Sequence, residues 1–173
     1  QGFADHFMKR ERGRRGNPLP GTKKKGLYPM GFNYLRKLPT PAEIRAMYPL
    51  SEKGKEIKRS KDEALRDIIT GKSDKFLVVI GPCSADNEEA VCDYISRLTR
   101  VQEKVKDRVE IVPRIYTYKP RTNGDGYKGI AFQPNPEERP DLVAGLIAIR
   151  RLQMRSIEEY GLPAADEMLY PEN

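Results

Sequence analysis

The sequence predicts an α/β fold built on parallel strands. From residue 76 onward, apolar strand-like runs alternate with amphipathic helical stretches in the order strand–helix–strand–helix–strand. Such alternation implies parallel strands joined by right-handed crossovers. Each strand-like run also ends in chemically distinctive residues. Two architectures share this order, an open doubly wound sheet and a (β/α)8 barrel, and both carry active residues at the C-terminal ends of their strands. The chain has neither the Gly-x-Gly-x-x-Gly pattern nor the Walker loop that usually marks the open sheet's phosphate site. A whole barrel takes roughly 250 residues and eight strands, and the 173 residues here end just after the third strand-like run, so a barrel would be present in fewer than half its units.

The elements follow in order. Residues 1–29 are rich in Gly, Pro, Lys and Arg, lack a sustained apolar period and read as a disordered basic tail. Met30 opens "MGFNYLRKLPTPAEI", where a folded pattern starts. It is expected to be the natural start, with the tail extraneous. Residues 30–75 read as an N-terminal helical extension. In it, Thr40-Pro41-Ala42-Glu43 supplies an N-cap, a first-turn proline and an acid, and the helix stops before Pro49. A second helix is predicted over 60–69, with Ala64, Leu65 and Ile68 on one face and Gly71 ending it. The continuous apolar run 76–80 reads as a strand buried on both faces. Asn87 can cap the next helix, whose stripe is Val91, Ile95, Leu98, Val101 and Val105. Residues 109–116 are the second strand. Asp141 caps a further helix with Leu142, Leu146, Ile149, Leu152 and Ile157 inward and Gly161 at its end. Residues 162–169 give a third, weaker strand.

The net charge of +7 invites a nucleic-acid reading, but its distribution argues against one. Residues 1–25 hold eight Lys/Arg and two acids, whereas the other 148 residues hold 24 and 23. A nearly neutral body lacks the basic surplus that drives binding to a nucleic-acid backbone. No apolar run approaches the roughly 20 residues of a membrane helix, so no membrane partner is expected and the default address is cytoplasmic. Two cysteines make no disulfide framework.

The strand ends carry the candidate chemistry. After the first come Gly81, Pro82, Cys83 and Ser84. Cys83 has three readings: a buried structural thiol, a nucleophile, or a metal ligand. The only histidine, His6, lies in the tail, and no Cys-x-x-Cys or His-x-x-x-His spacing is present. Cys92 lies beside a helix stripe and reads as packing. The second strand runs into "PRIYTYKPRTNGDGYKG", where Arg114, Lys119, Arg121 and Lys128 stand among glycines and a proline. Arg grips phosphate or carboxylate with a fork, and Lys offers a movable point charge. Pro120 holds Lys119 and Arg121 at a set angle. Such a cluster fits a small polyanion, although a solvated basic loop has the same composition. The third strand ends in Asp166 and Glu167, which neighbour each other and so point to opposite faces of a strand. A carboxylate pairing with a nearby arginine is an equally good reading of either.

Taken together, "VVIGPCS", "RIYTYKPRT" and "GLPAADE" resemble the class I 3-deoxy-D-arabino-heptulosonate 7-phosphate (DAHP) synthases of the shikimate pathway, of the enteric and yeast type with an N-terminal extension. The resemblance covers about residues 31–173. It implies a (β/α)8 TIM barrel, of which 76–173 would be the first three β/α units. It implies a transferase that condenses phosphoenolpyruvate with erythrose 4-phosphate and releases phosphate. A divalent metal of the Mn, Fe, Co or Zn type is also implied, with Cys83 as one ligand. By the same resemblance Arg114 and Lys119 act on phosphoenolpyruvate as catalytic and binding groups. Lys119, Pro120, Arg121 and Thr122 line the erythrose 4-phosphate site, and Lys128 and Glu167 match further active-site positions. A homo-oligomer at full length and feedback inhibition by an aromatic amino acid, supported by the extension over 31–71, are implied too.

The chain departs from the family pattern in four ways. Pro113 precedes Arg114 inside a strand, the "NGDGYKG" loop is one residue longer, and Asp166 stands where the family has glycine. The family's other metal ligands (a His, a Glu and an Asp) lie in a second half of the barrel, so the chain alone is expected to lack synthase activity. Two other classes compete with this reading. A thiol-dependent enzyme would use Cys83 at a helix N-terminus, and a non-catalytic anion- or nucleic-acid-binding module would use the basic tail.

Overall fold

Thr40 and Glu43 form a reciprocal cap at the start of α1 (Pro41–Met47). The Glu43 amide donates to Thr40 Oγ1 at 3.2 Å, and the Thr40 amide donates to Glu43 Oε2 at 2.7 Å. Two of the helix's orphan amides are thereby satisfied. A computed structural model describes residues 37–119 and 126–167 of the chain. They fall into two compact units divided between Met47 and Tyr48, with α1 in the first. The expected tail over 1–29 lies outside the described residues.

In the second unit, α2 runs over Glu52–Ile69, eight residues longer at its start than the apolar period predicts. Residues 52–59 are polar nearly all round, so periodicity is blind to them. The signal is Ser51, whose hydroxyl accepts from the Gly54 amide at 2.9 Å. The Glu158 carboxylate accepts from the Ser51 amide at 2.7 Å and from its hydroxyl at 2.6 Å, tying this helix start to α4.

The sheet among the described residues has two parallel strands, β1 (Phe76–Ile80) and β2 (Val109–Pro113), in register from Phe76 opposite Val109 to Ile80 opposite Pro113. They are joined through α3 (Glu88–Val105), which Asn87 caps through the Ala90 amide at 2.9 Å. The expectation that 76–80 is buried on both faces is wrong. Phe76 is 72% exposed, Val79 51% and Ile80 42%. Among the described residues β1 has a strand on one edge only, and too little packs over its faces to cover them.

The stripe of α3 also needs correcting. Val91 and Ile95 are buried as expected, but Val101 is 45% exposed and Gln102 is buried in its stead. The reason is backbone accounting. Phe76 N donates to Arg108 O and Arg114 N to Ile80 O, both at 2.8 Å. Even-numbered residues of β2 therefore turn their amides toward β1, and odd-numbered ones toward the opposite edge. On that edge Gln102 Nε2 donates to Val109 O at 2.9 Å and its Oε1 accepts from Ile111 N at 2.6 Å. One side-chain amide serves as a short strand neighbour.

The same alternation disposes of Pro113. Its missing N–H would face away from β1, so the β1–β2 ladder loses nothing. Beyond it, Ala165 N donates to Pro113 O and Ile115 N to Ala165 O, each at 2.8 Å. The third strand is thus a single bridge, Arg114 to Ala165, rather than the predicted run over 162–169. Residues 168 and 169 lie outside the described set.

The last helix, α4 (Leu142–Glu158), is capped by Asp141 through the Ala144 amide at 3.0 Å. It buries Leu146, Ile149, Leu152 and Ile157 as its period predicts. Ile95, Ile115 and Leu152 are at most 1% exposed and centre the core, each contributing about 1.5–3 kcal/mol by burial. Cys92 is buried in that core, as a packing residue should be, and burial pushes its thiol pKa up. Among the described residues no helix is long and apolar enough to cross a membrane.

Candidate active site at the strand ends

Gly81 is where β1 meets the site. A Cβ there would lie 1.8 Å from the carbonyl oxygen of Arg114, so only glycine lets the two strand ends approach this closely. Pro82 and Cys83 follow at once, and Pro82 O accepts from Arg114 Nη1 at 3.1 Å. Arg114 is held on three sides. Its Nε donates to Glu167 Oε1 at 3.1 Å, its Nη2 pairs with the same oxygen, and its guanidinium carbon lies 4.4 Å from the centre of the Tyr116 ring. Residues two apart in extended backbone share a face, which is how residues 114 and 116 meet just beyond β2. Burial and the Glu167 charge push the Tyr116 hydroxyl pKa up.

Lys119 Nζ reaches Cys83 Sγ at 2.8 Å. Cys83 is exposed, so the buried structural reading of this thiol is excluded. The Lys119 amide donates to Lys128 O at 2.9 Å, and Ala131 N donates to Thr117 O at 3.2 Å. These bonds bring residues 128–131 back against residues 117–119. Gly129, at φ 99°, permits this approach, because a Cβ there would sit 2.1 Å from Thr117 O. Lys128 is exposed and is linked to Lys119 here through its backbone. Pro120, Arg121 and Thr122 lie outside the described residues.

The structure thus gathers Cys83, Arg114, Lys119 and Glu167 at one end of the sheet. Sequence reading missed Tyr116 and Thr117. The i, i+2 spacing from Arg114 is a usable signal for Tyr116. Thr117 is fully buried, its amide donates to Asp166 Oδ1 at 3.2 Å, and its hydroxyl donates to Asp166 Oδ2. Its role depends on a carboxylate 49 positions away, which no local pattern reveals. Burial raises the Asp166 pKa despite these donors.

Among the described residues no three His, Cys, Asp or Glu side chains converge. The group against Cys83 is an ammonium, which opposes a second cation. The described residues offer one thiol donor and do not form a metal site.

Comparison with known proteins identifies the family. Residues 47–173 match the DAHP synthetase I family. The chain belongs to that family. It is similar to phospho-2-dehydro-3-deoxyheptonate aldolase of Haemophilus influenzae, at 39% identity over 129 residues, covering 75% of this chain and 35% of that protein. It is also similar to the Phe-sensitive phospho-2-dehydro-3-deoxyheptonate aldolase of Escherichia coli, at 36% identity over 135 residues, covering 78% of this chain and 38% of the relative. Among solved structures, the phospho-2-dehydro-3-deoxyheptonate aldolase of Francisella tularensis superposes with a TM-score of 0.73 and 29% identity, over 80% of this chain and 40% of that one. The chain therefore spans between a third and two-fifths of the length of these DAHP synthetase I relatives. Its parallel strands and helices are consistent with part of their α/β fold.

Proposed function

We propose that the chain forms the first part of a 3-deoxy-7-phosphoheptulonate synthase barrel and carries part of its phosphoenolpyruvate site. The observation that supports this best is the convergence of Arg114 and Lys119 at the strand ends of a DAHP synthetase I chain. In the proposed reaction, carbon 3 of phosphoenolpyruvate attacks the aldehyde of erythrose 4-phosphate, water adds at carbon 2, and phosphate leaves. Two anions must meet, so cations must offset their repulsion. Arg114 spends three N–H groups on Glu167 and Pro82 O, which orients the fork and leaves two for a carboxylate or phosphate oxygen. Lys119 adds a movable charge beside it. Arg121, Thr122 and Lys128 would extend the cationic surface toward the second phosphorylated substrate.

For a divalent ion of the manganese, iron, cobalt or zinc type, Cys83 offers one donor, and no step is assigned to a metal here. With a single donor the chain by itself is proposed to give no turnover above a blank. The Escherichia coli relative is named Phe-sensitive, and control by an aromatic amino acid through the 31–71 extension, in an oligomer, is the corresponding proposal.

Titrating phosphoenolpyruvate into the isotopically labelled chain tests the binding role. The Arg114 and Lys119 side-chain resonances should move, and Arg114→Ala should abolish the response. An equal response to inorganic phosphate, or none at the strand ends, would count against it. The contact between Lys119 and Cys83 favours a second reading, thiol chemistry, because a nearby cation activates a thiol. That reading predicts Cys83 alkylation far faster than for a small free thiol, with the rate lost in Lys119→Ala.

A further inference from the structure

A parallel ladder repeats every two residues. After Ala165 N to Pro113 O and Ile115 N to Ala165 O, the next rung would send Glu167 N to Ile115 O and Thr117 N to Glu167 O. Both donors go instead to one side-chain atom, Asp166 Oδ1, at 2.8 Å from Glu167 N and 3.2 Å from Thr117 N. The Thr117 hydroxyl takes the other carboxylate oxygen. One side chain thus intercepts both amides that would have extended the third strand. The pairing stops at Ala165, and Glu167 departs from the ladder with its carboxylate on Arg114.

We propose that Asp166 is a positioning residue of the strand-end site: its carboxylate ends the third strand after Ala165 and so places Glu167 against the guanidinium of Arg114. Three donors converge on the carboxylate, from the buried Thr117 and from the backbone of Glu167 itself. A glycine at this position would leave both amides free to extend the ladder. Glu167 would then be fixed opposite Tyr116, one rung beyond Arg114, so its carboxylate would meet the guanidinium only diagonally. The orientation of Arg114 and the share of its charge left for an anion therefore depend on a residue that touches neither Arg114 nor, on the proposed function, the substrate. The inference rests on that function only in taking the anion to be phosphoenolpyruvate.

The test is nitrogen-15 NMR on the full chain. In Asp166→Gly, the Arg114 Nε–H should exchange with water about tenfold or more faster, as expected on losing a charge-assisted hydrogen bond, and the Thr117 amide should shift. Asp166→Asn keeps an oxygen for the two amides and should restore most of the Arg114 protection, which a role in bulk stability alone would not require. Glu167→Gln should speed Arg114 exchange with the Thr117 amide unmoved. An Arg114 signal unchanged in Asp166→Gly overturns the proposal. Should that variant fail to fold, Asp166→Ala decides: it removes the acceptor of both amides while keeping a Cβ and should still speed Arg114 exchange, and no change there is equally fatal. A chain that binds no phosphoenolpyruvate would sink the functional reading while leaving this readout intact.

Discussion

Gly81→Ala puts the geometry of the strand ends to a quantitative test. The added Cβ would lie 1.8 Å from Arg114 O and 2.7 Å from Arg114 C, both backbone atoms with no rotamer to yield. Relief needs a separation of about 1.2 Å, the shortfall from a tolerable 3.0 Å contact. The Arg114 N–H to Ile80 O bond, now 2.8 Å, would be stretched toward about 4 Å and lost. That bond is worth about 1 kcal/mol net, and overpacking strain adds about 1–3 kcal/mol. The expected loss is about 2–4 kcal/mol, or roughly 2–4 °C in Tm for each kcal/mol in a chain this long. The natural control is Gly71→Ala, where φ is +73° and nothing lies within 4 Å. Its cost is conformational alone, about 1–2 kcal/mol. Urea denaturation followed by circular dichroism measures both. If Gly81→Ala costs no more than Gly71→Ala, the close approach described for the strand ends is wrong.

Other expectations follow from the same geometry. Gln102→Leu should cost about 1–3 kcal/mol by stranding the buried Ile111 amide, and hydrogen exchange should single out that amide; an unchanged rate would refute the role. Lys61 pairs at 2.5 Å with Glu110, whose side chain is 5% exposed, so Lys61→Ala should cost about 3 kcal/mol by leaving a buried carboxylate unpaired; a thermal melt within error of the parent would contradict this. Alkylation of the folded chain should modify the exposed Cys83 and spare the buried Cys92, as mass spectrometry can read directly. Acid should weaken the tie between α2 and α4. The Ser51 hydroxyl and amide hold Glu158 below the ordinary value of 4.5, so its contribution is complete above that value and fades as pH falls through the lowered one. Ser51→Ala should flatten this acid limb of the stability curve. Asp166 runs the opposite way: burial raises its pKa, so acidification through that range relieves a cost rather than removing support.

Local chemistry is legible in a chain to the extent that its partners are near in sequence. The caps at Thr40, Asn87 and Asp141 act across three residues. The parallel strands of "KFLVVI" and "RVEIVP" and the inward face of α4 follow from period and side-chain type. The three motifs at the strand ends were enough to indicate the family by resemblance. Ser51 is not legible as a cap, because residues 52–59 carry no apolar period to mark the helix that it starts.

What could not be read locally depends on groups far apart in the chain. Pro113 stands inside β2 at no cost to the β1–β2 ladder, because its missing amide faces away from β1. Val101 and Gln102 exchange places because an unpaired strand edge, and not hydropathy, decides which side chain of α3 turns inward. Burial of β1 is likewise set by what packs over it, which its own composition cannot express. Asp166 and Glu167 are adjacent letters with partners 49 and 53 residues away. Composition and period determine which segments become strands and helices, because those preferences act within a few bonds. The carboxylate that ends a strand and the cation that meets a thiol were settled only by folding, because hydrogen bonds and charges act through space between residues the chain keeps apart.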